Sequence, residues 1–465
     1  MKPNLLFVFA DQWRRQAAGY RNEDPVLTPE IDLFAESSLT LDNALSCFPL
    51  CSPNRSSMLT GRYPLTTGVT TNCKLGLPVA IKPGETSIGN TLKEAGYATG
   101  YIGKWHLDLP EQNKVPEPES GARHWDAYTP PGLQRLGFDF WYSYGAYDVH
   151  HAPHYWSDSP NMIQVNEWSL KHETDMATRF IRERDKSSPF ALYVSWNPPH
   201  QPFEQVPERY RTLYTDLELE LNPNVVGEGE VQAKRYLHDY YAAVTGMSEQ
   251  FGRLLTVLEE EGIVENTIVV LTSDHGETMG AHGWLEHKNI WYEEAIGVPF
   301  LIRWPGQVKI GREDVLLNSV DQAPTLLGLM GIPKPACMEG KDLSDHLKTE
   351  FKDERIEKPA SAFICHYPGG LREHEEARRY GLDVNAFGWR GIRTIRYTYV
   401  VIREFAVTNA SVTRLLYDNV ADPYQLHPTI IVSPRNDSIQ EGLERELRSW
   451  LNQIGDSFAE AVMSE

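Results

Sequence analysis

The chain has 465 residues, with 44 Lys and Arg against 64 Asp and Glu, a formal net charge of −20. Apolar residues make up 41% and charged residues 23%, a globular balance that excludes collagen, coiled coil, disulfide scaffold and disordered chain. The acidic excess, without a long Lys/Arg run, argues against a nucleic-acid binder, and no apolar stretch approaches the roughly 20 residues of a membrane span.

The first apolar run, residues 5–10, is too short for a secretory leader and reads as a buried strand ended by Asp11-Gln12. As written, the chain carries no address and is expected in the cytoplasm. A leader trimmed away would place it in the periplasm or outside the cell. Similar β-rich runs follow. Residues 98–102 lead into Gly103-Lys104-Trp105-His106, and residues 190–196 into Asn197-Pro198-Pro199-His200. Residues 267–272 lead into Ser273-Asp274-His275-Gly276, and residues 298–303 into Trp304-Pro305-Gly306.

Between them lie helical patterns. The longest covers residues 231–261, where Leu237, Tyr241, Val244, Met247, Phe251, Leu254 and Leu258 recur at three- and four-residue steps ahead of Gly262. Strands alternating with helices predict an α/β fold, a large mostly parallel sheet sandwiched by helices, with ligands at the carboxyl ends of its strands.

After about residue 345 the texture changes. Residues 348–359 read as a charged linker, followed by strand-like runs at 362–365, 391–394, 397–402 and 414–417 and a helix over 437–461. The expected organisation is a catalytic domain over 1–350 and a smaller α+β subdomain over 351–465, an antiparallel sheet closed by the C-terminal helix. The Pro- and aromatic-rich stretch 110–160 lacks periodicity and reads as a packed, site-building loop. The five cysteines form no disulfide framework, and Cys47, Cys337 and Cys365 read as small buried hydrophobes.

Asp11 and Asp274 each follow a strand and precede a further donor, Gln12 or His275. Such strand-end carboxylates suit a hard divalent cation, or serve as turn residues and helix caps. Cys51 precedes Ser56 and Ser57, which suit the first turn of a helix running to Gly61, and has Arg55 nearby. That places Cys51 in a positive field, as a reactive thiol, an anion site or neither.

The segment Cys51-x-Pro53-x-Arg55-Ser56, continuing to Leu59-Thr60-Gly61-Arg62, resembles the signature of the type I sulfatases of the alkaline-phosphatase-like superfamily. Gly103-Lys104-Trp105-His106-Leu107 resembles the second signature, and Leu416-Tyr417-Asp418-Asn419-x-x-Asp422-Pro423 the closing stretch. The likeness spans nearly the whole chain. It implies that Cys51 is matured to formylglycine by a generating enzyme. It further implies one divalent metal, calcium with manganese or magnesium as alternatives, held by Asp11, Gln12, Cys51, Asp274 and His275. Lys104 and Lys288 would bind sulfate oxygens, Arg55 would fix the hydrated aldehyde, His106 would assist the nucleophile, and His200 would protonate the leaving oxygen.

Gln12, His275 and Asp108 stand where many members carry Asp, Asn and Gly. Phosphonate monoester and phosphodiester hydrolases of the same superfamily are therefore the alternative reading. Intact Cys51, Arg55, Lys104, His200 and Lys288 speak against a non-catalytic binding protein. The family's bacterial members often act on sulfated glycans, so the resemblance favours a carbohydrate sulfatase. Asn72, His150, His154, Trp389 and Arg390 are the candidate sugar contacts, with Trp105, Trp156 and Trp196 as further flat faces.

Overall fold

The computed structural model describes residues 2–284, 287–350, 357–431 and 438–462. Strand β1 (Asn4–Ala10) is buried along its whole length because both its faces are covered. Leu6, Val8 and Ala10 enter one apolar cluster, and Leu5, Phe7 and Phe9 the other. An uninterrupted apolar run is what a strand covered on both faces requires.

The chain continues through β2 (Leu39–Leu45), β3 (Ala98–Lys104), β4 (Phe140–Tyr144) and a short ribbon of β5 (His154–Tyr155) and β6 (Ile163–Gln164). Then come β7 (Phe190–Trp196), β8 (Thr267–Ser273), β9 (Phe300–Arg303) and β10 (Gly311–Asn318). Eight of these form one sheet in the order β10-β2-β9-β8-β1-β7-β3-β4. Only β9 runs antiparallel to its neighbours, β8 and β2. The expected mixed, mostly parallel sheet between helices is present. Three of its strands escape the sequence pattern: Asp42-Asn43 interrupts β2, β4 sits inside the aromatic stretch, and β10 begins with charged residues.

Two helices matter most for the site. The helix Glu228–Glu260 is 33 residues long and lays its apolar side on the sheet. It ends before Gly262, whose φ of +66° suits glycine. The helix Cys51–Thr60 is buried at all ten positions and is closed by Gly61 at φ +62°. It starts one turn earlier than expected, so Cys51 is its first residue rather than a residue ahead of it. Pro53 does not prevent this, because the first turn has no intrahelical partner for its N–H groups.

The second sheet is antiparallel, in the order β11 (Ala362–His366), β12 (Gly388–Arg393), β13 (Tyr397–Arg403), β14 (Val412–Asp418), β15 (Thr429–Ile430). Phe363, Cys365, Ile392 and Tyr399 pack on the helix Ser438–Ile454 through Leu443, Leu447 and Leu451. The same cluster takes in Cys47, Phe48 and Tyr63, and Cys365 N donates to Cys47 O at 2.8 Å. The second sheet is therefore packed against the segment leading into Cys51. The expected division at 350/351 falls at residues 351–356, outside the described ones. Cys337, expected in the core, is exposed. Among the described residues no helix is long and apolar enough to cross a membrane.

Candidate active site

Register builds the floor of the site. Ala10 pairs with Trp196 on one side and with Ser273 on the other. The next residues, Asp11, Asn197 and Asp274, therefore emerge together at the carboxyl edge of the sheet. Lys104 ends β3, the strand beyond β7. The helix that starts at Cys51 brings the thiol to the same point, 3.6 Å from Asp11 Oδ1 and 3.4 Å from His275 Nε2.

Arg55, one turn along, spends its guanidinium on the floor. Nη2 donates to Asp11 Oδ2 at 3.0 Å, Nε to Asp274 Oδ2 at 2.9 Å, and Nη1 to Ser195 Oγ at 2.7 Å and Lys104 O at 2.8 Å. All of these groups are buried. Lys104 Nζ lies 2.8 Å from Asp11 Oδ2 and donates to Asn197 Oδ1 at 3.0 Å. Lys288 Nζ donates to Gln12 Oε1 at 2.6 Å and lies 3.4 Å from Cys51 Sγ and 3.1 Å from His200 Nε2.

Electrostatics follow from this packing. Burial would raise the Cys51 thiol, but Lys288, Lys104 and His275 pull it well below its ordinary value. Burial likewise opposes ionisation of Asp11, yet Lys104, His200 and Arg55 hold its carboxyl below the usual range. Asp274 goes the other way, raised by burial and by neighbouring Asp11.

The donor set fits a divalent cation. His275 Nδ1 donates to Gly276 O at 2.9 Å, which turns the Nε2 lone pair toward Cys51, Asp11 Oδ1 at 3.5 Å and Asp274 Oδ1 at 3.7 Å. Ligand atoms of Asp11, Cys51, Asp274 and His275 all lie within 4.8 Å of one another. Four electron-rich groups converging on one buried point are relieved by a cation between them. Gln12 presents its carbonyl to Lys288 and donates from Nε2 to Glu277. A carbonyl oxygen has a second lone pair, so the bond from Lys288 leaves Gln12 able to ligate.

The floor opens into a cleft of about 900 Å³ lined by Cys51, Asn72, Lys104, His106, His200 and Lys288 among others. His106, in the left-handed region at φ +53°, is buried beside Cys51, and burial lowers its pKa. His200 Nδ1 donates to Gln201 O at 2.6 Å, leaving Nε2 toward Lys288. Asn72 accepts from Ser52 N at 3.1 Å, in the first turn of the Cys51 helix.

Four expected sugar contacts are placed differently. Arg390 is fully buried on Asp456 at 2.6 Å, so it holds the C-terminal helix pair rather than a ligand. Trp389 is buried against Trp291 and donates to Asn289 O at 3.1 Å. His154 is buried on Asp126 at 2.6 Å. His150 lies behind the cleft, where Nε2 donates to His200 O at 3.0 Å and so supports His200. Trp105, Trp156 and Trp196 are core residues.

Two polar residues of the site were not anticipated. Asp148 lies 3.6 Å from Lys104 Nζ and 3.5 Å from His200 Nδ1, in a loop without pattern. Asn197, which bonds both Lys104 and Asp148, could have been found from its place at a strand end.

The sulfatase family model matches residues 3–332. The chain belongs to the sulfatase family. A second model, that of the N-sulphoglucosamine sulphohydrolase C-terminal region, matches residues 280–453 of this sulfatase. It is 36% identical to an endo-4-O-sulfatase of Bacteroides thetaiotaomicron, over 100% of this chain and 94% of that protein. It is 35% identical to an ulvan-active sulfatase of Formosa agariphila, over 98% of this chain and 82% of that protein. A solved structure from work on glycosaminoglycan metabolism by Bacteroides thetaiotaomicron superposes with a TM-score of 0.90 at 35% identity, covering 100% of this chain and 99% of that one. The family implies a metal ion and formylglycine, and the buried Asp11, Cys51, Asp274 and His275 group is one that could hold a metal.

Proposed function

We propose that this sulfatase removes sulfate from a sulfated carbohydrate, with residue 51 matured to formylglycine by a generating enzyme and calcium held by Asp11, Gln12, Asp274 and His275. The observation that carries this reading is the meeting of Cys51 with paired carboxylates, His275 and Lys288 at the floor of an open cleft. The hydrated formylglycine side chain supplies two hydroxyls, one to attack sulfur and one through which sulfate is eliminated. A cation bound by these residues would supply Lewis-acid polarisation. The oxygen-rich donor set suits calcium.

The remaining work falls to the chain's own side chains. Lys288 and Lys104 bracket Cys51 and bind the sulfate oxygens, where charge grows in the transition state. Arg55 holds Asp11 and Asp274 in place through bonds to both. With Nδ1 fixed on Gln201 O, His200 presents Nε2 as the atom through which a proton reaches the leaving oxygen. Asp148 Oδ1 lies 3.5 Å from Nδ1 and helps to fix the ring. The names of the relatives at about one-third identity, an endo-4-O-sulfatase and an ulvan-active sulfatase, support a sugar sulfate as substrate.

The test is a comparison of kcat/KM on sulfated mono- and oligosaccharides, a phosphonate monoester and a phosphodiester, using protein coexpressed with a maturation enzyme. A sulfated sugar is expected to be the best substrate. Faster hydrolysis of either phosphorus ester overturns the reading.

A further inference from the structure

The cleft has two unlike walls. One is aromatic: Trp125, exposed at 38%, lies against His106 with ring centroids 6.2 Å apart and planes 28° apart. In the same lining, His124 stacks on Tyr147 at 5.9 Å and 20°. These rings line the same cleft as Cys51 and offer a surface for the apolar face of a sugar.

The other joins the segment 71–74 to Gly369, Gly370 and the first turn of the helix Leu371–Tyr380, and its cation is Lys74. Lys74 is half-buried, and among the described residues its Nζ has no hydrogen bond or ion pair. The neighbouring acid, Glu373, uses Oε2 to accept from Gly370 N at 2.7 Å and makes no ion pair with Lys74. Lys104 and Lys288, by contrast, are already bonded to the floor.

Lys74 is held in place by its backbone. Asn113 Nδ2 donates to Lys74 O at 3.1 Å and to Leu77 O at 3.2 Å, and Asn113 Oδ1 accepts from Gly76 N at 2.7 Å. Gly369 permits the second sheet's loop to close on it: a Cβ there would sit 2.2 Å from Thr71 Oγ1 and 3.9 Å from Lys74 Nζ. The surroundings register the charge. Burial, then Arg390 and Lys74, push neighbouring His366 down to about 3. Burial also lowers Lys74 itself, opposed by Glu373. A half-buried ammonium in a cleft, on an anchored backbone and in ion-pair contact with no described carboxylate, is a preformed anion site.

We propose that Lys74 forms a second anion subsite, so that the sugar lying on the Trp125–Tyr147 wall carries a carboxylate or a second sulfate besides the sulfate that is removed. This rests on the carbohydrate-sulfate reading and names the substrate class within it: a polyanionic glycan rather than a singly sulfated neutral one. In a chain of net charge −20, such a glycan is attracted by fixed local cations rather than by the overall field.

The experiment measures ratios. For wild type, Lys74→Gln and Lys74→Arg, kcat/KM is compared between a sulfated uronate disaccharide and the same compound with its carboxyl reduced to an alcohol. A second pair compares a disulfated neutral disaccharide with its monosulfated form. A ratio taken within one variant cancels differences in folding and maturation. Wild type is expected to favour the additional anion by about tenfold or more in at least one pair. Lys74→Gln should bring that ratio toward one, and Lys74→Arg should keep most of it. The pair that responds identifies the anion. A ratio unchanged in Lys74→Gln, or near one in wild type, overturns the subsite while leaving the carbohydrate reading intact. Failure of wild type on every sulfated sugar, with turnover of a phosphorus ester, overturns both.

Discussion

Replacing Arg390 by alanine should cost stability and leave substrate choice alone. Its guanidinium is fully buried, with Nε donating to Asp456 Oδ2 at 2.6 Å and Nη1 to His366 O at 2.7 Å. It lies over the Tyr367 ring at 3.8 Å and the Phe458 ring at 4.6 Å. Removing the cation strands the Asp456 carboxylate in the core, and breaking a buried pair from one side costs about 3–5 kcal/mol. Urea unfolding should show a loss of that size. Activity toward a small aryl sulfate and toward a sulfated oligosaccharide should fall by the same factor, since both then report the folded fraction. The double variant Arg390→Met with Asp456→Asn should recover part of the stability, because no charge is left unpaired. Wild-type stability with a loss confined to the oligosaccharide would refute this and return Arg390 to the sugar site.

Cys51→Ala and Cys51→Ser should both abolish turnover, and peptide mapping of active wild type should show the mass loss that replaces CH2SH by CHO. A chelator should inactivate the enzyme and calcium restore it; restoration by manganese alone would contradict the choice of calcium and leave the site standing. Lys288→Ala should raise KM for every sulfate ester and Lys104→Ala should chiefly lower kcat, each costing about 10²–10³ in kcat/KM, as steady-state kinetics will show. Glu173 is buried and accepts from Tyr155 at 2.9 Å, and burial raises its carboxyl from 4.5 to about 8. The folded chain therefore holds a proton that the unfolded chain releases between those values, so stability should fall as pH rises through that window. Glu173→Gln should flatten this slope in urea unfolding measured at pH 5 and pH 8.

The floor was legible because two independent signals coincide there. Apolar runs ending in Asp11, Lys104, Asn197 and Asp274 mark strand ends, and a parallel sheet aligns those ends at one edge. The walls were not legible. Trp389 and Arg390 look like a ligand pair ahead of the expected strand 391–394, but they belong to β12, which is covered on both faces, so alternation gives no solvent side to read. His154 resembles a free donor until the fold brings Asp126 to it from 28 residues away. Asp148 and Lys74 lie in segments without period, where only tertiary contacts decide what faces the cleft.

The charges of the floor explain why its lysines should not be equivalent. Arg55 is saturated by Asp11 and Asp274, and Lys104 sits on Asp11 with Asp148 beyond it. Both cations therefore meet charge that the chain itself supplies, and their removal would release carboxylates from position. Among the described residues Lys288 Nζ meets the carbonyl of Gln12 at 2.6 Å and Nε2 of His200 at 3.1 Å, and makes no ion pair with a carboxylate. It is also the less buried of the two lysines. The Asp11-Gln12 pair thus has a consequence beyond metal donation. A second aspartate at position 12 would face the Lys288 ammonium and cancel it, whereas glutamine orients the ammonium and leaves its charge for the incoming anion.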